Sequence, residues 1–239
     1  MLAQGAGPVT RQKARSQALL GQIDLQRGEY ASALRHGLAA EAIYAAVDGG
    51  RGVPLLNVRR LIAASLRSEG RQDEAEAAEA RLVEQSLNDA SLGPKQRNEV
   101  IFDRAKSKID QGDSGEALRL LDELERRGGE PSPSVVAARG WALAAGGRQA
   151  DAIFWLEEGI DQLTEGNHRA ERAVTQWILA EALIATGNDR LRICQLLDAC
   201  REFYASSGAE AAILGPLEEL RAEQRCAPAG TNPESETGP

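Results

Sequence analysis

At 239 residues, with 42% of them hydrophobic and a formal net charge of −8, the chain can bury a sizeable core and is too acidic to take nucleic acid as its main ligand. Aromatic residues reach only 4%, while alanine and leucine abound, a balance that suits closely packed helices better than a sheet. No run of 18 apolar residues exists and residues 1–15 hold no signal-like stretch, so no membrane partner is expected and the placement is cytoplasmic.

In chain order, the first helical run spans about 9–27, ends at Gly28, and is followed by a second over 30–47. Runs over 54–69 and 72–87 flank Gly70, 96–111 and 114–127 flank Gly112, 133–146 and 149–164 flank Gly147, and 169–186 and 189–206 flank Gly187. Each glycine stands where a helix end needs a left-handed residue. The longest connector runs from Asn88 to Pro94, and the stretch 88–96 reads as a possible hinge. A last helix near 209–224 caps the apolar end, with Pro216 marking the first turn of a helix from Gly215. The repeat domain thus covers 9–225, and the Pro-, Gly-, Glu- and Thr-rich tail over 226–239 reads as disordered.

The five glycines share a frame. Seven residues before them stand Gly21, Ala63, Ala105, Gly140 and Ala180; five after stand Ala33, Ala75, Ala117, Ala152 and, as a misfit, Arg192. Two antiparallel helices approach closely only where facing side chains are small. Leu66, Leu143 and Leu183 occupy the fourth place before the glycine, with Asp24 and Lys108 as misfits. Leu121, Leu156 and Leu196 occupy the ninth place after it, with Gly37 and Glu79 as misfits. A stripe this narrow requires neighbouring hairpins to stack.

The unit Leu20-Gly21, Gly28-Glu29-Tyr30, Ala33 resembles the tetratricopeptide repeat (TPR) family, and Ser68-Glu69-Gly70-Arg71 and Ala145-Gly146-Gly147-Arg148 resemble the same turn without its tyrosine. The likeness covers roughly 12–207. The glycines are spaced 42, 42, 35 and 40 residues apart, and the units of 40 to 42 exceed the usual ~34, as in long-repeat bacterial regulatory members. The resemblance implies an all-α fold, a right-handed α-α superhelix of about five helical hairpins plus a C-terminal capping helix. It also implies a non-catalytic scaffold that binds a protein or peptide on its concave face; the alternative is the regulatory or sensing segment of a larger signalling or transcriptional protein.

No chemistry is expected. His36 and His168 lie outside any metal-ligand spacing, and Asp48-Gly49-Gly50-Arg51-Gly52 lacks the Gly-Lys-Ser/Thr ending of a phosphate loop, so neither metal nor cofactor is anticipated. Cys194, Cys200 and Cys226 are an odd count without tight spacing and read as unpaired thiols. The acidic clusters read as exposed helix faces.

Carried over by position, the resemblance places the partner-binding residues at Arg15, Gln22, Asn57, Arg60, Arg67, Phe102, Lys106, Trp141, Trp177 and Glu181. Trp141 and Trp177 read equally well as fillers between repeats. The places that clamp a peptide carboxylate in some family members hold Ala18, Gln22, Leu61, Glu99 and Asp103, which disfavours that mode. Residues 1–60 carry eight Lys/Arg against four Asp/Glu, whereas the remainder carries 20 against 32. That imbalance suits either solvated helix faces or docking at the basic end.

Overall fold

The computed structural model describes residues 8–128, 131–163, 168–187, 189–207 and 211–226. Among the described residues there are eleven helices and no strand. They are α1 (Pro8–Gln26), α2 (Tyr30–Val47), α3 (Val53–Ser68), α4 (Gln72–Asn88), α5 (Pro94–Asp110), α6 (Ser114–Gly128), α7 (Pro133–Ala145), α8 (Gln149–Gln162), α9 (Arg169–Ala185), α10 (Arg190–Ser206) and α11 (Ala211–Glu223).

All five turn glycines have φ between 73° and 81°. The amide after the glycine reaches back to the carbonyl four residues before it: Glu29 to Asp24, Arg71 to Leu66, Asp113 to Lys108 and Arg148 to Leu143, at 2.9 to 3.0 Å. These bonds satisfy carbonyls that a helix end leaves orphaned, and they set one turn geometry for the hairpins.

The chain divides into two compact units, residues 1–104 and 105–239, with the division inside α5. In the first unit, α1 packs on α2, α2 on α3 and α3 on α4. Leu34, Tyr44, Leu55, Val58, Ile62 and Leu66 form one core cluster, and Leu56, Leu82, Leu92 and Val100 form another. The connector over 88–93 is tied down: Asp89 Oδ2 accepts from the Gly52 amide at 2.9 Å, and its carbonyl accepts from Arg97 at 2.9 Å. In the second unit, α7 packs on α8, α8 on α9, α9 on α10 and α10 on α11, around Leu143, Leu156, Leu179, Leu183 and Leu197.

The small-residue frame holds. Gly21, Ala63, Ala105, Gly140 and Ala180 are buried, as are Ala33, Ala75, Ala117 and Ala152. A Cβ on Gly140 would lie 2.7 Å from Leu156 Cγ, and one on Gly21 would lie 2.7 Å from Leu61 Cδ2.

The fifth hairpin corrects the frame. Its turn carries one extra residue, and Asp189 caps α10 by accepting from the Leu191 amide at 2.9 Å. The amides of Ala33, Ala75, Ala117 and Ala152 each reach back to the residue that caps the second helix, and in α10 the same bond is made by Ile193 to Asp189. Ile193, 2% exposed, therefore fills the alanine slot, Arg192 is left outside, and Leu197 rather than Leu196 is fully buried.

Two further expectations are corrected at the C-terminal end. Pro216 lies inside α11, which starts four residues before Gly215, so the helix forgoes one hydrogen bond there. The cysteines are not all free: Cys194 and Cys226 form a disulfide with Cα atoms 5.4 Å apart. Sequence spacing did not reveal the pairing because proximity arises from α11 packing back on α10. A final turn with Arg225 at φ 53° then swings Cys226 inward, its amide donating to the Arg221 carbonyl at 3.0 Å. Cys226, placed in the tail by the sequence, is thus part of the fold, while 227–239 lie outside the described residues. Cys200 stays a thiol; it donates to the Ala173 carbonyl at 3.1 Å, and burial pushes its pKa up to about 12.

Candidate partner-binding surfaces

On the first unit, α1, α3 and α5 present the expected residues with unequal freedom. Arg15, Gln22 and Asn57 are exposed, and Phe102 is half-buried. Arg60 is engaged: its guanidinium lies 2.6 Å from Asp103 and 3.6 Å from Glu99. Arg67 pairs with Glu79, a carboxylate only 5% exposed. Those two arginines spend their charge within the fold, which weakens any attraction they exert on an acidic partner.

On the second unit, Lys106 is half-buried and Glu181 is exposed. Trp141 is 7% exposed, and its indole N–H donates to Thr175 Oγ1 at 3.1 Å. It fills space between α7 and α9 and is not available to a partner, because a buried indole needs a local acceptor and α9 supplies one. Trp177 is different. It is half-buried, its N–H donates to Glu181 at 2.8 Å, and its ring meets Tyr204 edge-on at 6.2 Å. Phe203 extends the shelf, 5.2 Å from Tyr204, with the Arg169 guanidinium 5.8 Å from its ring.

Two surfaces escaped the sequence reading. On α8, Phe154 is 62% exposed and meets Trp155 edge-on at 5.4 Å. The Arg139 guanidinium lies 5.1 Å from the Trp155 ring, held by Asp122 at 2.8 Å and Glu125 at 2.6 Å. The second surface is an open cavity of about 1030 Å³ lined by α1, the end of α2, the α2–α3 loop, the start of α3 and Ser91. Arg51 in the Gly-rich stretch was the available signal for it. No cluster of three or more metal-binding side chains occurs among the described residues, and no helix there is long and apolar enough to cross a membrane.

Two solved structures are similar to this chain. Both show the nearly identical TPR-like repeats of a candidate kinesin light chain from Podosopora anserina. One, a Q17M form, has a TM-score of 0.62 at 21% identity, over 83% of this chain and 97% of that one. The other has a TM-score of 0.60 at 21% identity, over 82% and 97%. The fold is that of TPR-like repeats. Neither a protein-family model nor a curated protein sequence matches the chain. At this identity the likeness establishes the fold, so the TPR-like surfaces must be read from their own geometry.

Proposed function

We propose that the protein is a non-catalytic scaffold that binds a protein or peptide on the first-helix faces of its TPR-like hairpins. The observation that carries this reading is the Trp177 shelf. A large indole fixed by Glu181 and braced by Tyr204 presents apolar area at little cost in conformational entropy, and such anchors dominate interface energetics. On the first unit the same reading uses Arg15, Gln22, Asn57 and Phe102. A cytoplasmic setting would keep Cys194 and Cys226 reduced, so the state of that pair in the native protein tests the placement.

The experiment is a pull-down from native extract with the whole protein, repeated with Trp177→Ala and with Phe154→Ala on the outer helix. Loss of about 2 kcal/mol or more of binding with Trp177→Ala alone supports the reading. Undiminished binding by Trp177→Ala, with loss on Phe154→Ala, moves the site to the outer helices.

A further inference from the structure

We propose that the cavity at the start of the first unit is a separate recognition site for an acidic peptide segment, one that pairs carboxylates with apolar side chains. The cavity, about 1030 Å³, is lined by three guanidiniums, Arg11, Arg15 and Arg51, and one carboxylate, Asp48, beside the apolar Leu19, Tyr44 and Pro54. Arginine is the side chain best shaped to hold a carboxylate, through two parallel N–H bonds.

Only part of the charge on this rim is spent within the fold. Arg59, Arg60, Arg67 and Arg71 of the same unit each meet a carboxylate. Arg15 and Arg51 make no hydrogen bond or ion pair among the described residues, and Arg11 alone is partnered, its Nε donating to Asp48 Oδ1 at 3.0 Å. The nearest competitor for Arg51 is Asp89. That carboxylate feels the Arg51 charge but takes its hydrogen bonds elsewhere, from the Gly52 amide at 2.9 Å, the Ser91 amide at 2.9 Å and the Ser91 hydroxyl at 2.6 Å. Two guanidiniums without a hydrogen bond or ion pair on one cavity rim, in a chain of net charge −8, are a local positive site in a negative field.

Arg51 is also held in place. Its loop turns through Gly49, Gly50 and Gly52 at φ 64°, 76° and 97°, and the bond from Gly52 to Asp89 pins the end of the turn. Less ordering is then needed when a ligand arrives. From the cavity an apolar track continues along α1, where Leu19 and Ile23, four residues apart on one helix face, are 50% and 43% exposed. A rim that takes carboxylates beside a track that takes apolar side chains fits a peptide of mixed acidic and apolar character. A polyanion such as nucleic acid would meet the repulsion of the whole chain, and a bare phosphate would leave the apolar lining and the track unused.

The proposal rests on the scaffold reading only for the class of ligand, and its residues other than Arg15 lie apart from the first-helix set. The test uses the whole protein with a short labelled peptide in which Glu and Leu alternate, its Gln-for-Glu counterpart, and inorganic phosphate as competitor. The expected result is binding of the Glu peptide that weakens with salt, little binding of the Gln peptide, and a loss of about ten-fold or more in Arg15→Glu/Arg51→Glu. Arg60→Glu and Trp177→Ala should leave it unchanged, with circular dichroism confirming folding of every variant. Undiminished affinity in the double variant overturns the site, and so does equal affinity for the Gln peptide. Displacement by phosphate at the peptide's own concentration range would make it a phosphate site instead. If Trp177→Ala alone abolishes peptide binding, the first-helix reading stands and this one fails. Self-association of the parent that the double variant abolishes would assign the cavity to a second copy of the chain and overturn the peptide proposal.

Discussion

The hairpins of α1–α4 and those of α7–α10 build the same turn and the same small-residue frame, yet they fill two positions of that frame between the helices with opposite chemistry. In the first pair, Asp24 lies 3.6 Å from His36, and Glu79 meets Arg67 where α8 has Leu156. That pairing leaves Arg67 Nε, Glu79 Oε2 and Asp24 Oδ2 buried without hydrogen-bond partners. In the second pair the corresponding places hold Leu143, Leu156, Leu183 and Leu197, each at most 4% exposed. Apolar burial is worth roughly 25 cal/mol per Å², whereas a buried ion pair spends most of its attraction on desolvation. The second pair is therefore the firmer scaffold, and the first keeps charged side chains between its helices.

The largest effect should come from the apolar hairpins. Leu156→Ala leaves a cavity under Gly140 and should cost ~2–5 kcal/mol, while Ala152→Leu overpacks the same interface by ~1–3 kcal/mol. Trp141, Trp155 and Trp177 are the chain's three tryptophans and all belong to the second unit, so their fluorescence reports its unfolding directly. A denaturation midpoint that does not move in either variant would contradict the packing described above.

Next in size is the covalent tie. Cys194 and Cys226 enclose a sequence separation of 32 residues, and opening such a loop costs ~2–4 kcal/mol. Cys194→Ser, or reduction of the parent, should lower the fluorescence midpoint. Cys200→Ser keeps the disulfide, so reductant should lower its midpoint by as much as it lowers the parent's. Mass spectrometry of the unreduced protein gives the pairing itself, and a free Cys226 would remove this contrast between the two ends.

The polar hairpins give a smaller effect of different form. Glu79→Ala strands Arg67 and should cost ~1–3 kcal/mol, yet Arg67→Met/Glu79→Leu should recover that loss or exceed the parent. Circular dichroism should register both changes while the tryptophan signal stays put, since the pair lies in the first unit. A double variant less stable than Glu79→Ala would mean that the charge pair itself holds α3 to α4.

These contrasts also show what the sequence could reveal. Positions near the turns were legible because a left-handed glycine and a close helix approach each tolerate very few residue types. The misfits Asp24, Glu79 and Lys108 were legible as exceptions, but their burial was not, since a charged residue reads as exposed until its partner is seen. Arg192 misled for a geometric reason: one added residue before Asp189 shifted α10, and only the capping bond restores the register with Ile193. Surface residues fared worst. Arg60 and Trp141 match the positional pattern, but whether a side chain faces a partner depends on neighbours from other hairpins, Asp103 for one and Thr175 for the other. The cavity at Arg15 and Arg51 combines three helices and two loops, and no local spacing encodes it.

The smallest expected effect concerns pH and sharpens the account of how the second unit ends. Glu218 on α11 is held below the usual carboxylate range by hydrogen bonds from Arg201 and Arg221, and Arg221 also reaches Asp198 on α10. Leu217, fully buried, is the apolar part of the same contact. A carboxylate whose folded pKa is lowered contributes stability above its unfolded pKa of about 4.3 and loses it as the pH falls through the folded value. Glu218→Gln should therefore lower the tryptophan midpoint slightly near pH ~6, and the difference from the parent should shrink as the pH falls through the parent's lowered folded pKa. The pair is solvated, so salt should shrink the difference too. Because the disulfide holds α11 in place regardless, the effect should grow when Cys194 and Cys226 are reduced. If the pH-dependent difference is the same with the disulfide intact and reduced, the charge network and the covalent tie act on separate parts of the fold.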